Sequence, residues 1–464
     1  MERFSAQIVS FIIGIVLARI LMPDAYGVIA ILMIFVNFAN VIVDGGLNTA
    51  LIQKKNADNI DFSTIFYVSM MLATVLYAIL FFLSPIISNL YDNEKLTLLL
   101  RVLSLILFLN SFNAIQRAYV AKHMLFRQLF YSSFGAVVLS GFCGIFMAYN
   151  GFGEWALVAQ QLVSQLATSI LMWITIKWRP EKIFSLERFI GLFDYGWKIF
   201  LTNIVIALYE NIRGIFIGKL YSPSFLAYFE RGKSMPALFM ENINSSIKTV
   251  LFPALSSEQD NRARVKQMMR RSMKLNCYVT FPLLVGLFVV ADSLVIVLLT
   301  DKWLDAVPFI RIFCLAYMLM PIQISNIEAI KALGYSNVIL KLEVIKKIIE
   351  AVILVVSFTI SVYAVAWGVV LYNAVCLFIN LLPNSKLLQY GVLEQLGDVA
   401  LILLASIFMG LITWLVYCLN LSSILTLLLQ VIFGIVAYVV ISKILKIDSY
   451  KYIMETLKSI IIKK

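Results

Sequence analysis

Four charged side chains interrupt two mostly apolar stretches within residues 197–255, and their types and spacing are the ones best suited to chemistry. Glu210 and Arg213 lie three residues apart, and Glu241 and Lys248 lie seven apart, so each pair shares one face of a predicted helix. A charge at the centre of a membrane helix costs about 2.5–3.5 kcal/mol on insertion scales, so we expect all four to face a protein-lined, wet cavity. If the two faces meet, two carboxylates and two cations line one site. An ion pair that only neutralises its helix is the competing interpretation for both pairs.

Three further charged residues are candidates for coupling or conformational roles. Asp44 precedes two glycines where the second predicted helix meets the cytoplasm, which indicates a helix-end or conformational role, with coupling-ion binding as the alternative. Glu328 is a lone acid in the tenth predicted helix, and a buried carboxyl whose pKa shifts upward can protonate during transport. Arg19 and Lys219 occupy matching outer helix ends, where snorkelling to the interface is the simpler interpretation.

The composition of the whole chain indicates a membrane protein. Of the 464 residues, 61% are hydrophobic and 14% are charged, and the mean hydropathy is +0.92. A soluble chain of this length could not bury so much apolar surface, so the sequence predicts an all-α polytopic membrane protein. Apolar runs of spanning length, from residues 4–22 to residues 421–441, predict about fourteen transmembrane helices.

Charge sets the predicted orientation. The formal net charge is +12, and most Lys and Arg residues fall in the loops on the side of the two termini. By the positive-inside rule, both termini are expected in the cytoplasm, and nucleic acid is not needed to explain the basic excess. The predicted domains are an N-terminal six-helix lobe (1–176), a cytoplasmic interfacial linker (177–198), a C-terminal six-helix lobe (199–383), and two extra helices with a basic tail (384–464).

The two lobes show an internal repeat when the chain is laid on itself. A shift of 200 residues aligns Arg19 and Pro23 with Lys219 and Pro223. A shift near 209 aligns the sequence around Arg101 with the sequence around Arg311. Six predicted helices separate the copies, and because six is even, both copies have the same orientation. The sequence therefore predicts a parallel repeat about an axis along the membrane normal.

No enzyme chemistry and no cofactor is predicted from the residue inventory. The glycine pattern of a nucleotide-binding P-loop is missing, so the sequence gives no support for nucleotide hydrolysis. The five cysteines lie in apolar stretches without paired spacing and are interpreted as buried free thiols. With one histidine, His123, in a basic loop, no metal site can be assembled.

The opening of the chain carries three short motifs. Residues 18–27 read ARILMPDAYG, residues 44–47 read DGGL, and residues 50–55 read ALIQKK. This sequence resembles the A-R-x-L-x-P-x-x-Y-G, D-x-G-L and A-L-I-Q-x-K opening of bacterial polysaccharide transporters. These are lipid-linked oligosaccharide flippases of the O-antigen and colanic-acid type, in the superfamily that also holds lipid II flippases and multidrug antiporters.

The resemblance implies a secondary transporter in the bacterial inner membrane. Two lobes would alternately open a central cavity to each side and flip a polyprenyl-pyrophosphate-linked oligosaccharide for surface polysaccharide synthesis. The polysaccharide polymerase machinery would be its partner. The cations then suit the pyrophosphate, with Arg213 forking onto its oxygens and Lys248 supplying a point charge. A multidrug or small-cation antiporter of the same fold is the alternative. A membrane-embedded glycosyltransferase or polymerase of the same pathway is a third hypothesis, which the short outer loops disfavour.

Overall fold

The computed structural model describes residues 2–419 and 421–462, and helices are the only regular elements among them apart from turns. Eleven stretches in this part of the chain are long and apolar enough to cross a membrane. The other predicted spans are also helical, but the first is shorter and the eighth and eleventh carry several charges. The chain is therefore a multi-pass all-α membrane protein, as the composition predicts.

The chain divides into two compact units, Met1–Ala227 and Tyr228–Lys464. Two spans of the first unit are each broken into two helices, one of them by Gly45 and Gly46, whose φ angles of 53° and 67° are left-handed. The described part of this unit contains α1 (Glu2–Ile20), α2 (Pro23–Asp44), α3 (Leu47–Gln53), α4 (Asn59–Leu90), α5 (Lys95–Leu103), α6 (Ile106–Lys122), α7 (Phe126–Tyr149), α8 (Glu154–Thr175), α9 (Leu186–Leu220) and the first residues of α10 (Pro223–Ser256).

The second unit begins inside α10 and is also built of helices among its described residues. The sequence places the first lobe's end at residue 176, whereas α9 belongs to the first compact unit here, so the lobe boundaries stay a prediction. The remaining elements of the second unit are α11 (Arg262–Leu299), a 3-10 helix (Asp301–Ala306), α12 (Val307–Met318), α13 (Met320–Ala332), α14 (Ser336–Phe358), α15 (Val362–Leu387), α16 (Val392–Tyr417), α17 (Ser423–Ile444) and α18 (Asp448–Ile462).

The predicted repeat has a counterpart in each unit. In the first unit, the Arg101 guanidinium donates to Ser84 Oγ at 2.9 Å and to the Phe81 carbonyl at 3.4 Å. In the second, Arg311 donates to the Phe288 carbonyl at 3.3 Å. Each arginine thus ties the fourth span of its repeat to the third span. The helix joints also repeat, because α2 and α10 both start at a proline, 200 residues apart.

The linker between the predicted lobes is fastened to α4. We call residues 177–185 the strap. The Glu181 N–H donates to Ser63 Oγ at 2.9 Å, and the Ser185 N–H donates to Thr64 Oγ1 at 3.2 Å. Both hydroxyls are buried, and Trp178 packs in the core of the first unit. The strap is therefore a packed part of this unit.

An ion cluster at the start of α4 ties α4 to the start of α9, directly after the strap. Asp61 is fully buried and accepts from Lys54 Nζ at 2.7 Å, and Arg188 at the start of α9 lies 3.7 Å from it and 3.4 Å from Asp58. Asp58 and Asp61 also form a capping box, in which each side chain accepts the other's backbone N–H. The Asp61 N–H and, after it, the Arg188 and Lys54 charges lower the pKa of Asp58.

The cysteines are free thiols, as predicted, but they are not all buried. Cys277, Cys314 and Cys376 are buried. Cys143 is half-buried and Cys418 is exposed, so the burial prediction is wrong for these two. Their apolar sequence context reflects the membrane around a span and does not require packing against another helix.

Candidate functional site

A polar face runs along α10, the helix that carries two of the four predicted site residues. We call Glu241, Ser245, Lys248 and Thr249 the α10 stripe. They follow the spacing i, i+4, i+7, i+8, so they share one face of the helix, and all four are exposed. The buried residues of this helix, Met240 among them, lie on the adjoining side.

The charges of the α10 stripe have no ion-pair partner among the described residues of the second unit. The Ser245 and Thr249 hydroxyls donate to carbonyls of α10 itself, at 3.1 and 2.8 Å. In the described part of the second unit, neither Glu241 nor Lys248 forms an ion pair, so the competing ion-pair interpretation does not hold there. A carboxylate and an ammonium exposed in this way need water or a polar ligand.

The other predicted pair lies on α9, in the first unit. Glu210 is exposed, and its carboxylate accepts no hydrogen bond and forms no ion pair among the described residues of this unit. Arg213 is half-buried, next to Gly214, whose Cα packs against Ile34 of α2. The two predicted residues therefore do not neutralise each other. They lie in a different unit from the α10 stripe, and the meeting of the two pairs in one site stays a prediction.

A second polar face lies on α2 and α3, and most of it was missed by sequence reasoning. We call Asn37, Asn40, Asp44 and Asn48 the α2 stripe, since they are spaced by three, four and four residues. Asn37 is exposed and the other three are half-buried. Asn110 of α6 donates from Nδ2 to Asn40 Oδ1 at 3.1 Å, and Asn48 Nδ2 donates to Asp44.

The repeat is a signal for one residue of this face, Asn48, and gives none for Asn37 or Asn40, whose counterparts are Ala237 and Met240. The 200-residue shift that aligns Pro23 with Pro223 also aligns Asp44 with Asn244 and Asn48 with Lys248. Both stripes thus lie on the second span of their repeat, but they share only the position of Asn48 and Lys248, since Asn40 and Asp44 correspond to the buried Met240 and Asn244. Asp44 was singled out as a residue at the end of its helix, and α2 does end there. However, α3 continues the same span to Gln53, so Asp44 lies within the span and not at its end.

The other candidate residues are engaged at or near helix ends. Glu328 is buried and accepts from Lys331 Nζ at 2.9 Å, so it is not the lone acid that the sequence suggests. Arg19 is exposed in the last turn of α1. Its repeat partner Lys219 pairs with Asp92 at 2.9 Å. These positions suit interface anchoring, and the predicted coupling roles stay predictions.

The chain matches known proteins in both sequence and fold. A family model described as "Polysaccharide biosynthesis protein" matches residues 16–308. The teichuronic acid biosynthesis protein TuaB of Bacillus subtilis is 27% identical over 308 residues, which is 65% of this chain. The succinoglycan biosynthesis transport protein ExoT of Rhizobium meliloti is 23% identical over 329 residues, or 70% of the chain. The matched segments span 62% and 66% of these relatives' own lengths.

The fold is that of a known flippase. A solved structure of the lipid II flippase MurJ, in an inward closed conformation, superposes with a TM-score of 0.76 and 14% identity. The match covers 96% of this chain and 98% of that one. At this identity the likeness shows the fold alone. Together with the family match, it confirms the resemblance predicted from the opening motifs.

Proposed function

This chain belongs to the polysaccharide biosynthesis protein family, and on that premise we propose that it flips a polyprenyl-pyrophosphate-linked oligosaccharide across the membrane. The direction would be from the cytoplasmic to the outer leaflet of the bacterial cytoplasmic membrane, with both termini in the cytoplasm. The observation that carries the proposal is the α10 stripe: Lys248 is exposed, forms no ion pair with the described residues of its unit, and lies on a helix predicted to span the membrane. A cation placed there is costly unless an anion or water meets it.

The cargo's pyrophosphate is the anion that this site would bind. Lys248 would supply a compact charge, and Arg213 would offer its planar fork of N–H donors to phosphate oxygens. Glu210 and Glu241 would keep the site's net charge low enough for the cargo to leave. Since the sequence carries no nucleotide-binding motif, an ion gradient or the membrane potential would drive the cycle, at roughly 2.3 kcal/mol per charge per 100 mV.

Mass spectrometry of the lipid fraction tests the proposal. A strain lacking this protein should accumulate a polyprenyl-pyrophosphate-linked repeat unit and lose surface polysaccharide. An unchanged lipid-linked pool during active synthesis would refute the flippase proposal and favour the multidrug or small-cation antiporter.

The site is tested by complementing that strain with Lys248→Ala. Loss of one charge-assisted contact, of about 1.5–3 kcal/mol, should reduce export roughly ten- to hundredfold at normal protein level. Lys55→Ala is the matched control, because Lys55 is an exposed lysine in the loop after α3. Lys248→Arg should retain most export, since it keeps the charge. Wild-type export with Lys248→Ala would remove Lys248 from the cargo site.

A further inference from the structure

The α2 stripe is unusual for a membrane helix because several of its polar atoms have no hydrogen-bond partner among the described residues of the first unit. The span Pro23–Gln53 contains no Lys or Arg, so this face has no cation for a phosphate. Asn37 lies 14 residues after Pro23, which places it about 21 Å along the span, near its middle. An exposed amide at that depth requires water or a polar ligand beside it.

Buried amides of α6, in the same unit, are of two kinds: Asn113 is saturated, whereas the side-chain N and O of Gln116 have no partner among the described residues. Asn113 of α6 is buried, donates to the Gln165 carbonyl and Oε1 at 3.2 Å, and accepts from Ser169 Oγ at 2.8 Å. That network joins α6 to α8 and leaves neither the side-chain N nor the side-chain O of Asn113 without a partner. By contrast, the Asn37 side chain has no hydrogen bond among the described residues of its unit, and the buried Asn48 Oδ1 has none either.

The pairing on the α2 stripe leaves a donor beside an acceptor. The bond from Asn110 to Asn40 uses one N–H and one lone pair, so the Asn40 amide hydrogens and the Asn110 carbonyl oxygen remain available. Asp44 accepts from Asn48 and has further acceptor capacity. Each sugar hydroxyl both donates and accepts, and neighbouring hydroxyls on a sugar ring match a donor and an acceptor held side by side.

We propose that Asn37, Asn40 and Asp44 bind the hydroxyl groups of the cargo's sugars beyond the first, and that this face makes transport depend on the glycan. The inference rests on the proposed function, and it assigns the pyrophosphate and the glycan of the cargo to different helices. The cations of α9 and α10 would bind the pyrophosphate common to every cargo. The α2 stripe would bind the glycan, which differs between cargoes.

The experiment compares two cargoes in the strain lacking the chromosomal protein. One strain background makes the complete lipid-linked repeat unit, and a second, lacking the second glycosyltransferase, makes the carrier with only its first sugar. Export is the fraction of each lipid-linked pool that a membrane-impermeant glycosidase or lectin reaches. Asn37→Ala should reduce export of the complete unit about five- to tenfold, the effect of a lost hydrogen bond, and change export of the one-sugar carrier less than twofold. Lys248→Ala should reduce both equally.

Controls separate the possible failures. Asn150→Ala removes an exposed asparagine from the loop after α7 and should change neither export. Asn37→Gln, which keeps the amide, should recover part of the export of the complete unit. Equal losses for both cargoes with Asn37→Ala, or no loss for either, would overturn the glycan-binding role while leaving the flippase intact. Equal accessibility of both pools with and without the wild-type protein would overturn the proposed function, and this inference with it.

Discussion

Replacing Asp61 by Asn should weaken the attachment of α9 to α4 and destabilise the first unit. Asp61 is fully buried, whereas its partners Lys54 and Arg188 keep 30% and 41% of their side chains exposed. Removing one partner of a fully buried ion pair costs about 3–5 kcal/mol. Because both cations can turn toward water once the carboxylate is neutral, we reduce this to about 2–3 kcal/mol. Asn keeps an oxygen for the Asp58 N–H, so the capping bond adds little to the loss.

The assay is thermal unfolding in detergent, followed by size-exclusion fluorescence. With an unfolding entropy of about 2.1 cal/mol/K per residue over a unit of this size, that loss lowers Tm by roughly 4–6 °C. Asp58→Asn is the matched control, since Asp58 contacts the same Arg188 but is 45% exposed, and its Tm should fall by less than about 2 °C. Equal shifts for the two variants, or no shift for Asp61→Asn, would refute the burial argument.

Two further predictions concern the same region of the first unit. Gly46→Ala should lower Tm and membrane protein level, because Gly46 has a φ of 67° and an added Cβ would lie 2.4 Å from the Gly196 carbonyl oxygen. Gly14→Ala is the control and should change neither, because Gly14 has open space around it. Similar Tm values for the two variants would contradict the close approach of α3 and α9. Asp58 has a lowered pKa, so its contribution to stability is complete above the ordinary pKa of about 3.9 and is lost as pH falls through the lowered value. The Tm difference between wild type and Asp58→Asn should therefore shrink on acidification, and a difference that grows would contradict the sign.

The candidate site was partly predictable, and the reason lies in the cost of charge in lipid. Glu241 and Lys248 are visible in the sequence because charges stand out in an apolar stretch, and the structure leaves both exposed on one helix face. Asn37 and Asn40 were missed because an amide is common in membrane helices and carries no charge. Whether such an amide is saturated, as Asn113 is, or left open depends on neighbours that are remote along the chain.

The sequence by itself determined the membrane class and eleven of the fourteen predicted spans among the described residues. Length and hydropathy decide these, since a span needs about 20 apolar residues whatever it packs against. The opening motifs determined the family in the same local way. The pair of Glu328 and Lys331, three residues apart on one helix, was also open to sequence reasoning. Only the tertiary structure decided that the strap is bound to Ser63 and Thr64 instead of lying loose between lobes. Hydrogen bonds between residues more than a hundred positions apart depend on how the helices pack, and the hydropathy pattern does not predict that packing.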